Sequence, residues 1–138
     1  MIKEITPPDA WTILRSDPNA VLLDVRSTME FQYVGHPVGA VHVPLKEPPD
    51  WDVNPDFVDS VRRALSEKFT GAGGPEGMTI LSICRSGQRS HTAAELLAAQ
   101  GFNNVYNVIE GFEGDRDKQS HRNTINGWRV HGLPWEQS

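Results

Sequence analysis

A single cysteine, Cys84, stands in a chain of 138 residues, so no disulfide can form within the chain and no second thiol can resolve what is made on that sulfur. Whatever Cys84 forms has to be discharged by another molecule. Positive charge is the minority: 13 Lys and Arg against 18 Asp and Glu leave a net charge of −5. A general nucleic-acid surface is thereby excluded, because it needs clustered cations to neutralise phosphates, and any anion site must be local. No run approaches the roughly 18 apolar residues that a membrane span requires. The first nine residues lack an apolar stretch and carry an acid early, unlike a secretory signal. A reducing, cytoplasmic setting is the expectation. The five histidines, at 36, 42, 91, 121 and 131, have neither of the common metal-site spacings, so no metal is expected. A nucleophile elbow around serine, a Walker-type loop and a dinucleotide fingerprint are all missing, so no cofactor is implied.

What is present reads as one compact domain over residues 1–138, with 38% apolar residues and 12 Gly and 10 Pro marking tight connections. Thr6-Pro7 caps a first helix that should end near Asp17-Pro18. Val21 to Val25 and Thr79 to Ile83 are short, almost wholly apolar runs, the pattern of strands covered on both faces of a parallel sheet. Ser27-Thr28-Met29-Glu30 matches a capping box and predicts a short helix, broken by Gly35-His36-Pro37, before a strand over 40–43. Asn54-Pro55 predicts a helix running to about Phe69, and residues 71–75 a glycine-rich loop. A helix from about Arg89 to Gln100, stopped by Gly101, precedes a strand over 104–109. Strands alternating with helices imply an open α/β sheet with parallel pairing and helices on both faces.

The segment that carries chemistry is Cys84-Arg85-Ser86-Gly87-Gln88-Arg89-Ser90, set between a buried strand and the helix after it. Ligands collect at the carboxyl ends of strands in such sheets. A cysteine there sits beside unpaired helix amides and the positive end of a helix dipole, which favours thiolate over thiol. Arg85 and Arg89 add two cations that attract an anionic substrate, and Gly87 lets the loop curl into a nest of amides. A lone cysteine at a strand end is ordinarily a small buried hydrophobe, but an inert core thiol has no reason to keep two guanidinium groups beside it. His91, two residues beyond Arg89, would tune Cys84 only if it faced the loop.

Three separated stretches resemble the rhodanese-like family, and the resemblance covers nearly the whole chain. They are Cys84 to Ser90, matching Cys-Arg-Ser-Gly-x-Arg-Ser, then Leu23-Asp24-Val25-Arg26 with Glu30 and Gly35 to Ala40, and lastly Val105 to Phe112. The resemblance implies a five-stranded parallel sheet wrapped by helices and a cysteine that takes a sulfane sulfur as a persulfide. Donors would be small anions such as thiosulfate; a thiol, cyanide or a protein would be the acceptor. By the same resemblance Cys84 is the nucleophile, the amides of Arg85, Ser86, Gly87, Gln88, Arg89 and Ser90 hold the transferred sulfur, Arg85 contacts the substrate anion, and Asp24, Arg26 and Glu30 form a supporting ionic shell. Phosphatases and arsenate reductases of related fold carry an arginine six positions after the cysteine. Here Arg89 lies five positions after Cys84 and Ser90 is sixth, so the loop is expected to suit a sulfur atom rather than a phosphoryl group. The polar tail over 114–138, with Trp128 and Trp135, is expected to pack on the domain; the alternative function is a persulfide carrier or regulatory module that docks a partner through those tryptophans.

Overall fold

The computed structural model describes residues 2–68 and 74–138. Its main sheet has five strands: β1 (Lys3–Ile5), β2 (Ala20–Asp24), β4 (Val41–His42), β5 (Thr79–Ile83) and β6 (Asn104–Val108). They lie in the order β1-β6-β5-β2-β4 with every neighbouring pair parallel. The central pair, β2 and β5, carries the longest apolar runs, and all five β5 residues are buried. Alternate side chains feed two cores. Val21, Leu23 and Ile80 meet Phe57, Val61 and Leu65 of helix α2 (Phe57–Ser66) and Ala93, Ala94 and Leu97 of helix α3 (Gln88–Ala99). On the other face, Leu22, Leu81 and Ile83 meet Ala10 of helix α1 (Pro7–Ser16). The stripe at 57, 61 and 65 is the spacing that puts one helical face against a sheet. The expected α/β sheet with helices on both faces is therefore present.

Helix α1 begins as its sequence dictates, with Thr6 Oγ1 accepting the Asp9 amide and proline in the first turn. Several elements differ from the expectation. Strand β1 has no sequence signal, because an edge strand reading Lys-Glu-Ile buries almost nothing; its register, Ile5 beside Val108, comes from pairing with β6. The capping box at Ser27 closes, with Ser27 Oγ donating to Glu30 Oε1 at 2.8 Å and accepting the Glu30 amide at 3.4 Å. The turn after it is nevertheless π-helical over Glu30–Val34, and the Gly35 amide reaches back five residues to the Glu30 carbonyl at 3.2 Å. The strand expected over 40–43 shrinks to two residues, flanked by β3 (His36–Pro37). Helix α2 starts at Phe57, after Asn54 Oδ1 accepts the Asp56 amide in a turn; the expected end near Phe69 and the loop residues 71–73 lie outside the described residues.

The tail returns to the domain. Trp128 is fully buried in the second core, edge-on to Trp11 at 6.1 Å between ring centroids, and its Nε1 donates to the Pro134 carbonyl at 2.8 Å. Strand β7 (Trp135–Glu136) then pairs antiparallel with β3. Docking a partner through Trp128 is ruled out, since that ring already fills the interior.

Candidate active site

Strand β5 ends at Ile83 and α3 starts at Gln88, so Cys84 to Gly87 form the turn between them at the carboxyl edge of the sheet. Gly87 sits at φ +112°, a conformation L side chains rarely adopt, and no side chain caps the helix it opens. A second segment clasps the turn from the tail side. The Phe112 amide donates to the Cys84 carbonyl at 2.8 Å and the Glu113 amide to the Arg85 carbonyl at 3.0 Å. This approach is possible only because residue 111 is glycine: at its φ of +68° a Cβ would lie 2.5 Å from the Arg85 carbonyl.

The sulfur lies just beneath this turn, with Cys84 1% exposed. Two donors converge on it, the Gly87 amide at 3.1 Å and the Ser90 hydroxyl at 3.2 Å. Among the described residues only the Gly87 amide of the loop reaches Sγ, so the cradle is a partial one rather than a full ring of amides. Ser90 Oγ also lies 2.6 Å from Asn107 Oδ1, and its one proton cannot serve both partners at once. Asn107 Nδ2 in turn donates to the Gly87 carbonyl at 3.2 Å. Sequence reasoning missed Asn107. The available signal was a polar residue two positions after Val105 on a buried strand, hence on the same core-facing side, where an amide has to find partners.

The loop separates two openings. Arg85, itself exposed, and Arg89 line a cleft of about 1060 Å³. Ser86, Gly87 and Gln88 line a smaller pocket of about 390 Å³ on the other side. Cys84 itself lines neither opening; its chain neighbours Arg85 and Ser86 do. His91 borders the smaller pocket but leans on Glu95, with Nδ1 3.3 Å from its carboxylate, and has no hydrogen bond to Cys84 among the described residues.

Arg89 makes no hydrogen bond to the sulfur among the described residues. Nη1 and Nη2 grip the two oxygens of Glu30 at 2.7 and 2.9 Å, tying α3 to the π-turn. Burial alone would push the Glu30 carboxyl up, but hydrogen bonds and charge from Arg89, helped by Ser27, outweigh it and bring it down from 4.5 to about 2. Burial would likewise lower the Arg89 guanidinium; Glu30 first, then Cys84 and Asp24, raise it instead. Because the folded carboxyl binds its proton less tightly than the unfolded one, this pair stabilises the fold fully above pH 4.5 and loses that contribution as pH falls toward 2. The amount lost is at most about 3 kcal/mol. Urea unfolding of the wild type should weaken between pH 5 and 3 by more than that of Glu30→Gln. Parallel acid profiles for the two proteins would contradict the assignment.

Asp24 and Arg26 lie deeper, each with no exposed side-chain surface. Arg26 Nε and Nη2 hold Asp24, at 3.0 Å to Oδ1 and 2.7 Å to Oδ2, and Nη2 also donates to the Gly35 carbonyl at 2.6 Å. The guanidinium sits 4.5 Å from the centre of the Phe112 ring, and Nη1 has no hydrogen-bond partner. The pair thus links the end of β2 to the chain segment that clasps the cysteine turn.

The sequence model of the rhodanese-like domain matches residues 6–118. This chain belongs to the rhodanese-like family. Among curated relatives, the thiosulfate sulfurtransferase GlpE of Actinobacillus succinogenes is 35% identical over 133 residues, covering 96% of this chain and 89% of that protein. An uncharacterised protein of Rickettsia rickettsii is 33% identical over 138 residues, with 98% of each chain covered. The crystal structure of Rv0390 from M. tuberculosis superposes with a TM-score of 0.81 at 37% identity, over 99% of this chain and 98% of that one. Rhodanese-like membership and the parallel sheet agree with the reading of the three sequence stretches. No helix among the described residues is long and apolar enough to cross a membrane.

Proposed function

We propose that the protein is a sulfurtransferase in which Cys84 carries a sulfane sulfur between a small anionic donor and a thiol, in a reducing cytoplasmic compartment. With thiosulfate as donor, the Cys84 thiolate attacks the outer sulfur, the sulfur–sulfur bond of the donor breaks, and sulfite leaves with the bonding pair. Charge is conserved, and a persulfide remains on Sγ. The Gly87 amide and Ser90 hydroxyl stabilise negative charge on the sulfur, while Arg85 draws in the donor's sulfonate end. An external thiolate then takes the outer sulfur and regenerates Cys84. What carries this reading is the Gly87 amide donating to a thiol at the head of an uncapped helix, with the Ser90 hydroxyl 3.2 Å from the sulfur and an exposed arginine beside it. A phosphoryl-transfer reading is weaker, because Arg89 commits both terminal nitrogens to Glu30 and has no free pair to grip a phosphoryl group.

The test is intact mass. After exposure to thiosulfate the protein should gain the mass of one sulfur atom, the gain should vanish on addition of excess thiol, and prior alkylation of Cys84 should prevent it. An unmodified mass under these conditions would end the proposal.

A further inference from the structure

Thiosulfate leaves most of the larger cleft unused. At about 1060 Å³ it matches the upper range of sites that enclose organic ligands. Its lining is of two kinds. Met29, Pro48 and Trp51 present carbon surface, with Met29 63% and Trp51 45% exposed, and an inorganic anion gains nothing from such a wall. Lys46, Arg85 and Arg122 present cations, and among the described residues none of the three forms an ion pair. Glu113 is the one carboxylate on this lining apart from Glu30, which Arg89 already holds. The cleft is therefore an unneutralised cationic site with an apolar side.

Arg122 belongs to the tail, beyond the 6–118 span of the family match, and it is held in place. Its Nη1 donates to the Gly114 carbonyl at 2.6 Å, the Asn123 amide donates to the Glu113 carbonyl at 2.8 Å, and Asp117 gathers the Gln119 and His121 amides and the Thr124 hydroxyl. Ser120 and Asn123 on either side of it adopt φ of 63° and 65°, positions that non-glycine residues occupy at a cost. Burial first, then repulsion from Arg85 and Arg116, makes the Arg122 charge harder to hold; Glu113 and Asp115 offset this only in part, and an anion placed between Arg85 and Arg122 would relieve the remaining repulsion.

We propose that this cleft is the acceptor site for an organic thiol bearing carboxylates, and that Lys46 and Arg122 select it. The inference rests on the sulfurtransferase reading above and names its acceptor class. In the step it serves, the acceptor thiolate attacks the outer sulfur of the Cys84 persulfide. The bond between that sulfur and Sγ breaks, Cys84 returns as thiolate, and the acceptor leaves as a persulfide carrying the proton that the outer sulfur took from water after loading.

The experiment loads Cys84 to completion with thiosulfate, removes the excess, and follows discharge of the persulfide by intact mass with mercaptosuccinate, 2-mercaptoethanol or cysteamine. Each rate is divided by that thiol's rate with a free small-molecule persulfide. The wild type should prefer the dianionic mercaptosuccinate over neutral mercaptoethanol. Arg122→Glu and Lys46→Glu, which lie on separate loops, should each lower that preference by roughly fivefold or more and raise the relative rate with cationic cysteamine. An unchanged preference in either folded variant would overturn the acceptor assignment and leave sulfur transfer standing. Failure of the wild type to load at all would overturn both.

Discussion

Cys84→Ser should reduce sulfur transfer from thiosulfate by on the order of a thousandfold or more while leaving the fold nearly untouched. A serine hydroxyl is not appreciably ionised at neutral pH and forms no counterpart of a persulfide, so the double displacement has no intermediate to pass through. The substitution is mild for the structure. The Gly87 amide that now donates to Sγ would face an oxygen acceptor of smaller radius in the same place, and the Ser90 hydroxyl keeps Asn107 Oδ1 as an acceptor, so no buried donor is orphaned. Steady-state turnover and the urea midpoint should therefore part company, the first collapsing and the second shifting by less than about 1 kcal/mol. Retention of even about a tenth of wild-type turnover would remove Cys84 from the chemistry.

Asp24→Ala should be the most damaging substitution away from the sulfur, lowering stability by about 3–5 kcal/mol. Arg26 is buried completely, and Asp24 is its only carboxylate partner among the described residues. Removal of Asp24 would leave a buried guanidinium with the Gly35 carbonyl and the face of Phe112 for compensation, alongside an Nη1 that already lacks a partner. The effect would spread to the active turn, because Phe112 donates its amide to the Cys84 carbonyl. Replacing both partners, as Asp24→Leu with Arg26→Met, should recover much of the loss, since an apolar pair of similar volume avoids desolvating two charges. Equal midpoints for the single variant and the wild type would show that the pair contributes nothing to stability.

Much of the site was legible in local sequence, and the reason differs by residue. Cys84, Gly87 and Ser90 lie within one turn of chain, so the strand-to-helix boundary alone brings them together. Asp24 and Arg26 stand two residues apart at a strand end, where the pairing is equally local. The role of Arg89 depended on a partner 59 residues away, and only the packing of α3 on the π-turn turned it toward Glu30. Asn107 was missed for the same reason: its two partners lie 17 and 20 residues upstream and meet it only when β6 pairs with β5.

Residue order by itself determined the class of fold and singled out the candidate nucleophile, because apolar runs of strand length, helix caps and a solitary cysteine are properties of short stretches. The tertiary structure decided what crosses between stretches. Strand β1 exists because β6 offers it an unpaired edge, and Trp128 is interior because the tail curls over Leu22, Leu81 and Phe112. Arg122 lines the same cleft as Arg85 because the tail starts beside the cysteine turn, where the Glu113 amide meets the Arg85 carbonyl, and loops back so that the Asn123 amide meets the Glu113 carbonyl. Burial and charge proximity depend on where distant segments settle, and no periodicity along the chain encodes them.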